Sequence, residues 1–344
     1  MWKRIKKTFG AYKNIDNVLI TPYRTYGTNS HLYLLGRALD DLPLKIVEDQ
    51  NIFTNLKNAY KQFDSFEIRN AKIRVKVGEQ IELEGKTNGE GYYLFDEKTG
   101  IDLSHLVNEE GWLTTEIYYG NEISEETSLV NDHFQGELLI PEKTAEYGII
   151  SDIDDTIMHT GVTSFLKWRL LKNSLLTNAY DRIPLKGAAE LYQKLHLGKS
   201  GQNKNPIFYL SNSPWNLYQY LKLFLDFNKF PKGPILLRNF RGPFDRSLKP
   251  EKPHKQKEII NILKTYPDFK FILIGDSGEH DASIYIEIAE NYPERILAIY
   301  LRSVRHKKSM RRVRGVIDSF ESVPVLMVEN SIEAETHARE NGWI

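Results

Sequence analysis

The pattern of apolar and polar residues changes character near residue 146. Before this point, short segments alternate between the two kinds: Ile73, Val75 and Val77 are separated by arginine and lysine. A period of two residues is typical of strands with one buried face and one solvated face. The other predicted strands of this region are 32–37, 80–84, 92–95 and a short one from 111, with a turn at 87–91. We therefore expect a small β-rich sandwich or barrel, with one helix at 55–63.

Beyond residue 146, short and mainly apolar segments alternate with longer segments whose apolar residues recur with the period of a helix. The predicted strands are 147–151, 207–210, 235–237, 271–274, 296–301 and 323–328, and the predicted helices are 185–197, 216–227, 253–264, 281–291 and 333–339. Strands that are apolar without alternation are typical of parallel sheets covered on both faces. The alternation of strand and helix predicts a Rossmann-like, doubly wound parallel sheet, whose ligand crevice lies beyond the carboxyl ends of its strands.

These patterns divide the chain into two predicted domains and a leading segment. A β-rich accessory domain is expected at 18–145 and an α/β domain at 146–344, joined near the polar, strand-breaking segment Pro141–Glu146. The length of 344 residues also favours two domains. Residues 1–17 form a basic amphipathic segment. It fits a helix packed on its own domain, the more ordinary interpretation, or a helix lying on an anionic membrane surface.

Composition excludes several classes of function. The 46 basic and 46 acidic residues give no net charge, so no overall field favours nucleic acid as a partner. The absence of cysteine excludes disulfides, thiolate catalysis and cysteine-ligated zinc, and it fits a reducing compartment. No stretch has the roughly 18 apolar residues of a membrane span, and no apolar region follows the basic start as in a signal peptide. We expect a cytoplasmic protein whose contact with membranes is at most peripheral.

Three predicted strands end in polar residues that the sheet would gather into one crevice. The first ends in Asp152-Ile153-Asp154-Asp155-Thr156, the second in Ser211-Asn212-Ser213, and the fourth in Gly275-Asp276-Ser277-Gly278-Glu279-His280-Asp281. Several carboxylates in one crevice raise each other's pKa unless a divalent cation lies among them. Ligand atoms that are all oxygen favour Mg²⁺. The predicted metal ligands are Asp152, Asp154, Asp276 and Asp281.

The spacing of Asp152 and Asp154 predicts phosphoryl chemistry with divided roles. Asp152 would attack phosphorus and form an aspartyl-phosphate, while Asp154 would protonate the leaving oxygen and then activate water. A hydroxyl and a cation are needed on the transferring phosphoryl group. The predicted phosphate-binding residues are Thr156, Ser211, Asn212 and Lys255, with Lys257 as the alternative lysine. Each short motif is common as a turn or a cap, and only their shared strand-end placement favours catalysis.

Together these residues resemble the four motifs of the haloacid dehalogenase superfamily of phosphohydrolases: Asp-x-Asp-x-Thr, a strand-terminal Ser or Thr, a Lys, and a strand ending in acidic residues. The segments 151–157, 209–217 and 271–281 resemble more closely the catalytic domain of the actin-patch-associated phosphatidate phosphatases, relatives of the lipins. The resemblance covers about residues 147–340. It implies a sheet of the haloacid dehalogenase type and Mg²⁺-dependent hydrolysis of phosphatidate to diacylglycerol and phosphate.

Two basic segments lie near the predicted site. Between 162 and 176, Phe165, Trp168 and other apolar residues are interleaved with lysine and arginine. This segment fits one that dips into an anionic interface, and equally a helix packed on the sheet. A cationic cluster at 302–314 fits anionic lipid or a solvated surface better than nucleic acid, which the neutral total charge disfavours.

Three hypotheses of function remain from the sequence. The first is a phosphatase of phosphatidate or another lipid phosphate, in peripheral contact with a membrane. The second is a phosphatase of a soluble phosphate ester or phosphoprotein. The third is a catalytically weak lipid-binding module, which the presence of both Asp152 and Asp154 disfavours, because loss of the nucleophile is the simplest route to a pure binder.

Overall fold

The computed structural model describes residues 17–40, 66–120, 128–129, 133–158, 185–238, 252–277, 280–303, 313, 315, 317 and 320–344. Outside the described residues lie almost all of the basic N-terminal segment, the predicted helix at 55–63, the apolar and basic segment at 162–176, and most of the cationic cluster at 302–314. The chain divides into two compact units. The described residues of the first are 17–40, 66–107 and those within 113–138, and those of the second lie within 108–112 and 139–344. The predicted domain boundary at 145–146 lies a few residues beyond this division.

Among the described residues, the strands of the first unit join in one branched sheet. They are β1 (Asn17–Pro22), β2 (Thr25–Thr28), β3 (His31–Asp40), β4 (Phe66–Glu67), β5 (Lys72–Val77), β6 (Ile81–Lys86), β7 (Tyr92–Lys98), β8 (Trp112–Tyr119), β9 (Ser128–Leu129) and β10 (Phe134–Leu139). The long strand β3 pairs antiparallel with β1, β2, β4 and β7. Ile73, Val75 and Val77 are buried while their charged neighbours are not, so the predicted alternation is confirmed. The finer expectation of a sandwich or barrel stays a prediction.

The second unit is built on a parallel sheet. Its strands are β11 (Gly148–Asp152), β12 (Ile207–Pro214), β13 (Ile235–Arg238), β14 (Phe271–Asp276), β15 (Ile296–Arg302) and β16 (Val325–Val328), and its helices are α1 (Ala188–Leu197), α2 (Tyr218–Phe227), α3 (His254–Thr265), α4 (Asp281–Asn291) and α5 (Ser331–Glu340). The strand order is β13-β12-β11-β14-β15-β16, and every pairing is parallel. The strands and helices predicted for this region are confirmed, with bounds shifted by a few residues.

Burial explains why this part of the chain forms such a sheet. Every residue of the neighbouring strands β11 and β14 is buried, which requires cover on both faces. Crossovers of the usual right hand would place α1 and α2 on one face, and α3 and α4 on the other. In agreement, α1 contacts α5 and α3 contacts α4. The predicted parallel α/β architecture is therefore confirmed. Within the described ranges, no helix has the combination of length and apolar character that crossing a membrane requires.

The sheet has its switch point at β11. From this strand the chain runs first to β12 and β13 on one side and then to β14, β15 and β16 on the other. The connections on the two sides leave on opposite faces, so a crevice opens beyond the carboxyl ends of the central strands. Asp152 and Asp276 are the last residues of β11 and β14. The fold therefore delivers two acidic side chains to the place where such sheets bind ligands.

Helix α3 carries two ionisable side chains into the interior. Nδ1 of His254 lies 3.8 Å from Oε1 of Glu258, one helical turn along. Burial lowers the pKa of His254 to about 4, despite a hydrogen bond to the backbone of Leu236 that acts the other way. Burial likewise raises the pKa of Glu258 to about 7, against the opposing effect of Lys257. Between these two values both side chains are neutral, as their dry surroundings require.

A protein with Glu258→Gln should gain stability over the wild type as the pH rises. The folded-state pKa of Glu258 exceeds its ordinary value of 4.5, so its contribution to stability is full below pH 4.5 and is lost as the pH rises through about 7. The advantage of the uncharged variant in free energy of unfolding should grow by roughly 2 kcal/mol between pH 5 and pH 8. Urea unfolding at both values measures it. The exposed Glu290→Gln on α4 is the control, and an advantage independent of pH would contradict the burial of Glu258.

Candidate active site

A tight turn after β11 folds back on the last residue of that strand. The backbone N–H groups of Ile157 and Met158 both donate to the carbonyl oxygen of Ile153. Asp155 takes a left-handed conformation with φ of 56°, which aspartate tolerates better than most residues. The turn returns Thr156 to the strand end, where its Oγ1 donates a hydrogen bond of 3.1 Å to Oδ2 of Asp152. The predicted phosphate-binding role of Thr156 stays a prediction, since its observed partner is the Asp152 carboxylate.

Lys255 reaches the other oxygen of the same carboxylate. Its Nζ lies 2.7 Å from Oδ1 of Asp152 and 2.6 Å from Oδ1 of Asp281. All three side chains are at most 1% exposed. Lys255 and Asp281 come from the first turns of α3 and α4, which both begin at this edge of the sheet. Lys257 is exposed, and this geometry favours Lys255 as the lysine of the site.

Three of the four predicted metal ligands lie together. Asp152, Asp276 and Asp281 each place one carboxylate oxygen within 4.8 Å of the others, and all three are buried. The fourth, Asp154, is not in this group, and its role as a ligand stays a prediction. Among the described residues, Lys255 is the cation whose charge lowers the pKa of Asp152, while three other carboxylates raise it, so negative charge exceeds positive charge around Asp152. A set of oxygen donors only, at this spacing, fits Mg²⁺.

The electrostatics of Asp152 also fit a bound cation. Burial raises the pKa of Asp152 well above its ordinary value; Lys255 opposes this, while Asp281, Asp154 and Asp276 add to it. A carboxylate that acts as a nucleophile has to be ionised. An ionised Asp152 would need more positive charge than Lys255 supplies, and a divalent cation among the carboxylates would provide it.

The close approach of α4 to β14 depends on a residue without a side chain. A Cβ on Gly275 would lie 2.6 Å from Oδ2 of Asp281 and 2.8 Å from a ring carbon of Tyr285. The Tyr285 hydroxyl donates to the carbonyl oxygen of Ile274 at 3.0 Å, which fixes the helix against the strand. Only glycine at 275 allows Asp281 to stand beside Asp276 at the strand end. The sequence shows the pair Gly275-Asp276 but not this structural reason for the glycine.

The side chain of Asp154 contacts two serine hydroxyl groups of β12. Oγ of Ser211 donates to Oδ2 of Asp154 at 2.5 Å, and it accepts a hydrogen bond of 2.9 Å from the backbone N–H of Ser213. Oγ of Ser213 lies 3.4 Å from the same Oδ2. Sequence reasoning missed Ser213, although its position two residues after Ser211 on a strand places both on one face. Asn212 lies between them and is half-buried, and its phosphate-binding role stays a prediction.

A second buried contact that the sequence did not reveal lies behind Asp152. Oγ of Ser151 donates to the carbonyl oxygen of Asp152 at 2.8 Å, and the hydroxyls of Ser151 and Tyr192 are 2.5 Å apart. Burial raises the pKa of Tyr192, so its phenol stays protonated and can donate to Ser151. This chain of hydroxyls holds the backbone that carries the Asp152 side chain.

Comparisons with known proteins agree with this geometry. Residues 147–303 match the family model described as the catalytic domain of phosphatidate phosphatase APP1. The chain is 35% identical to phosphatidate phosphatase APP1 of Saccharomyces cerevisiae over 195 residues, which are 54% of this chain and 32% of that protein. It is 29% identical over 220 residues to an uncharacterized protein of Schizosaccharomyces pombe, covering 63% of this chain and 34% of the other.

The matched region contains most of the candidate site. Asp152, Asp154, Ser211, Lys255, Asp276 and Asp281 all lie within residues 147–303. The chain spans about a third of the length of each of these two relatives. No solved structure matches it. Residues 147–303 are therefore similar in sequence to the catalytic domain of the APP1 phosphatidate phosphatases.

Proposed function

We propose that this chain is a Mg²⁺-dependent phosphatidate phosphatase that works through an aspartyl-phosphate on Asp152. The observation that carries the proposal is the buried contact of Asp152 with both Lys255 and Thr156, beside an Asp154 that contacts two serine hydroxyl groups. Two carboxylates two residues apart in different surroundings suit a nucleophile and a general acid–base. The name of the yeast relative supports phosphatidate as the substrate.

The parallel sheet supports a fold of the haloacid dehalogenase type. Its first strand is central, its switch point is at β11, and its acidic residues stand at the ends of β11 and β14. These are the features that the four sequence motifs imply. We assign the second unit to this type on that basis, as part of the proposal.

In the first step, a carboxylate oxygen of Asp152 attacks the phosphorus of phosphatidate. The bond from phosphorus to the glycerol oxygen breaks as the new P–O bond forms, and Asp154 gives its proton to the leaving oxygen. Lys255 and Thr156 hold the Asp152 carboxylate in a fixed orientation before attack. The hydroxyl of Ser211 and the ammonium of Lys255 are the groups available to bind the phosphoryl oxygens.

In the second step, water replaces the aspartyl group. Asp154, now a carboxylate, takes a proton from a water molecule that attacks phosphorus. The P–O bond to Asp152 breaks, inorganic phosphate leaves, and both carboxyl groups return to their starting states. Asp152, Asp276 and Asp281 would hold Mg²⁺, which neutralises phosphoryl charge and keeps Asp152 ionised.

Access to a membrane lipid requires a surface that touches the bilayer. The apolar and basic segment at 162–176 follows the Asp152 turn directly in sequence. Its mixture of aromatic, apolar and cationic residues suits peripheral contact with anionic lipid. This part of the proposal rests on sequence, because the segment lies outside the described residues.

Asp152→Asn should abolish release of phosphate from phosphatidate in mixed micelles. An amide is neutral and a poor nucleophile, so we expect a loss of more than about 10³-fold in kcat. Wild-type activity should also require Mg²⁺ and disappear with chelation. Phosphate release is measured on phosphatidate and on a soluble aryl phosphate, and circular dichroism checks that the variant is folded.

The outcomes separate the hypotheses. Metal-dependent and Asp152-dependent release from phosphatidate supports the lipid phosphatase. Turnover of the soluble ester alone keeps the mechanism and assigns another substrate. Absence of turnover of both by the wild type would favour a lipid-binding module, and full activity of the variant would refute the assignment of the nucleophile.

Lys255→Gln and Lys257→Gln form a matched pair. Each removes one lysine charge from α3, but only Lys255 contacts Asp152 and Asp281. We expect Lys255→Gln to lower kcat/KM by about 10²-fold or more and to lower stability as well, because two buried carboxylates lose their partner. Lys257→Gln should change kcat/KM by less than about twofold. Equal losses in the two variants would contradict the placement of Lys255.

A further inference from the structure

We propose that Ser213 is a positioning residue that holds Asp154 in place as general acid once the hydroxyl of Ser211 has turned to the substrate. The inference rests on the proposed function, because it takes Asp154 as the group that protonates the leaving oxygen. None of the residues in the sequence motifs was given this role.

Two acceptors compete for the hydroxyl proton of Ser211. Its hydroxyl donates to Oδ2 of Asp154 at 2.5 Å while its oxygen accepts from the backbone N–H of Ser213. One hydroxyl cannot donate to Asp154 and to a phosphoryl oxygen at the same time. When Ser211 binds the phosphoryl group, Asp154 therefore loses this hydrogen bond at the moment when its orientation matters.

Ser213 is placed to take over. Its Oγ is 3.4 Å from the same Oδ2 of Asp154, a long contact that must shorten by about 0.7 Å to reach the usual O–H···O distance. Catalytic hydrogen bonds are often this long before substrate binds and tighten afterwards. Ser213 is 2% exposed, so water is poorly placed to act as a substitute donor, and a lost donor there is costly.

The local backbone explains how both serines face one carboxyl group. The pairing of β12 with β13 has an irregular register between Leu210 and Pro214. Such irregularities re-aim side chains at the ends of strands. Ser211 and Ser213 lie inside this stretch, and the N–H of Ser213 is bonded to Oγ of Ser211. A movement of Ser211 toward the substrate is thus coupled to the segment that carries Ser213.

A hydrogen bond from the Ser213 hydroxyl to Oδ2 of Asp154 has a chemical consequence. With Oδ2 of Asp154 held by Ser213, the carboxyl group keeps the orientation in which Oδ1 delivers a proton to the leaving group. This matters for an alkoxide leaving group, which is strongly basic and must be protonated as the bond breaks. It matters little for a nitrophenolate, which leaves without protonation.

The test is the dependence of Ser213→Ala on the leaving group. The kcat/KM of wild type, Ser213→Ala and Ser211→Ala is measured with a soluble short-chain diacylglycerol phosphate and with a nitrophenyl phosphate. This constant covers the steps up to departure of the leaving group, so slow attack by water does not mask the effect. The exposed Ser104→Ala in the first unit is the control for substitution of serine, and thermal melts check folding.

We expect Ser213→Ala to lose about tenfold or more on the alkyl ester and less than about twofold on the aryl ester. Ser211→Ala, which loses a phosphoryl contact, should be impaired on both. Equal losses of Ser213→Ala on the two esters, or none on the alkyl ester, would overturn the role of Ser213 while leaving the phosphatase intact. Failure of the proposed function would be seen differently, as wild-type protein without Asp152-dependent turnover of either ester, and would overturn both.

Discussion

The second unit depends on one buried arrangement of charges, the contact of Lys255 with Asp152 and Asp281. Ion pairs with no exposure to water are stabilising only when their geometry is close and their remaining atoms are satisfied. Here the two Nζ–O distances are 2.7 and 2.6 Å. The surrounding chain provides this close geometry: β11 supplies one carboxylate, α4 the other, and α3 the lysine between them.

The lysine does not balance the site. Asp276 is a third buried carboxylate beside Asp152 and Asp281. Burial and the neighbouring carboxylates raise the pKa of Asp152 by more than Lys255 lowers it. A site in this condition takes up a proton or a cation. For a nucleophile the cation is the productive choice, because it leaves the carboxylate ionised. The requirement for Mg²⁺ in our proposal thus follows from the charge excess of the site, together with its oxygen-only donors.

The sequence predicted the strands and helices of the second unit because their patterns are clear: β11 and β14 each begin with a run of apolar residues and end in an aspartate. It also predicted that Asp152, Asp276 and Asp281 would meet, since neighbouring strand ends share one edge. It favoured Lys255 and kept Lys257 as the alternative. The side chains of residues two positions apart on a helix point in directions that differ by about 200°. Only the packing of α3 against β11 shows which of the two lysines points into the site.

The hydroxyl contacts were beyond reach of the sequence for another reason. Ser213 on β12 contacts Asp154 in the turn that follows β11, and the register of β12 with β13 is irregular around Ser213, which no local pattern encodes. Ser151 meets Tyr192 through the packing of α1 on the sheet, and Thr156 meets Asp152 through a turn with an unusual backbone angle at Asp155. Serines, threonines and tyrosines are common, and their partners become visible only in three dimensions.

The central claim is that Asp152 itself attacks phosphorus. The stereochemical course of phosphoryl transfer tests it most directly. The substrate is a phosphorothioate analogue made chiral at phosphorus by sulfur and two oxygen isotopes, and it is hydrolysed in water labelled with the third isotope, so that the released thiophosphate is chiral. Two successive in-line displacements, first by Asp152 and then by water, predict net retention of configuration. Inversion would mean that water attacks the substrate in a single step, and it would contradict the account.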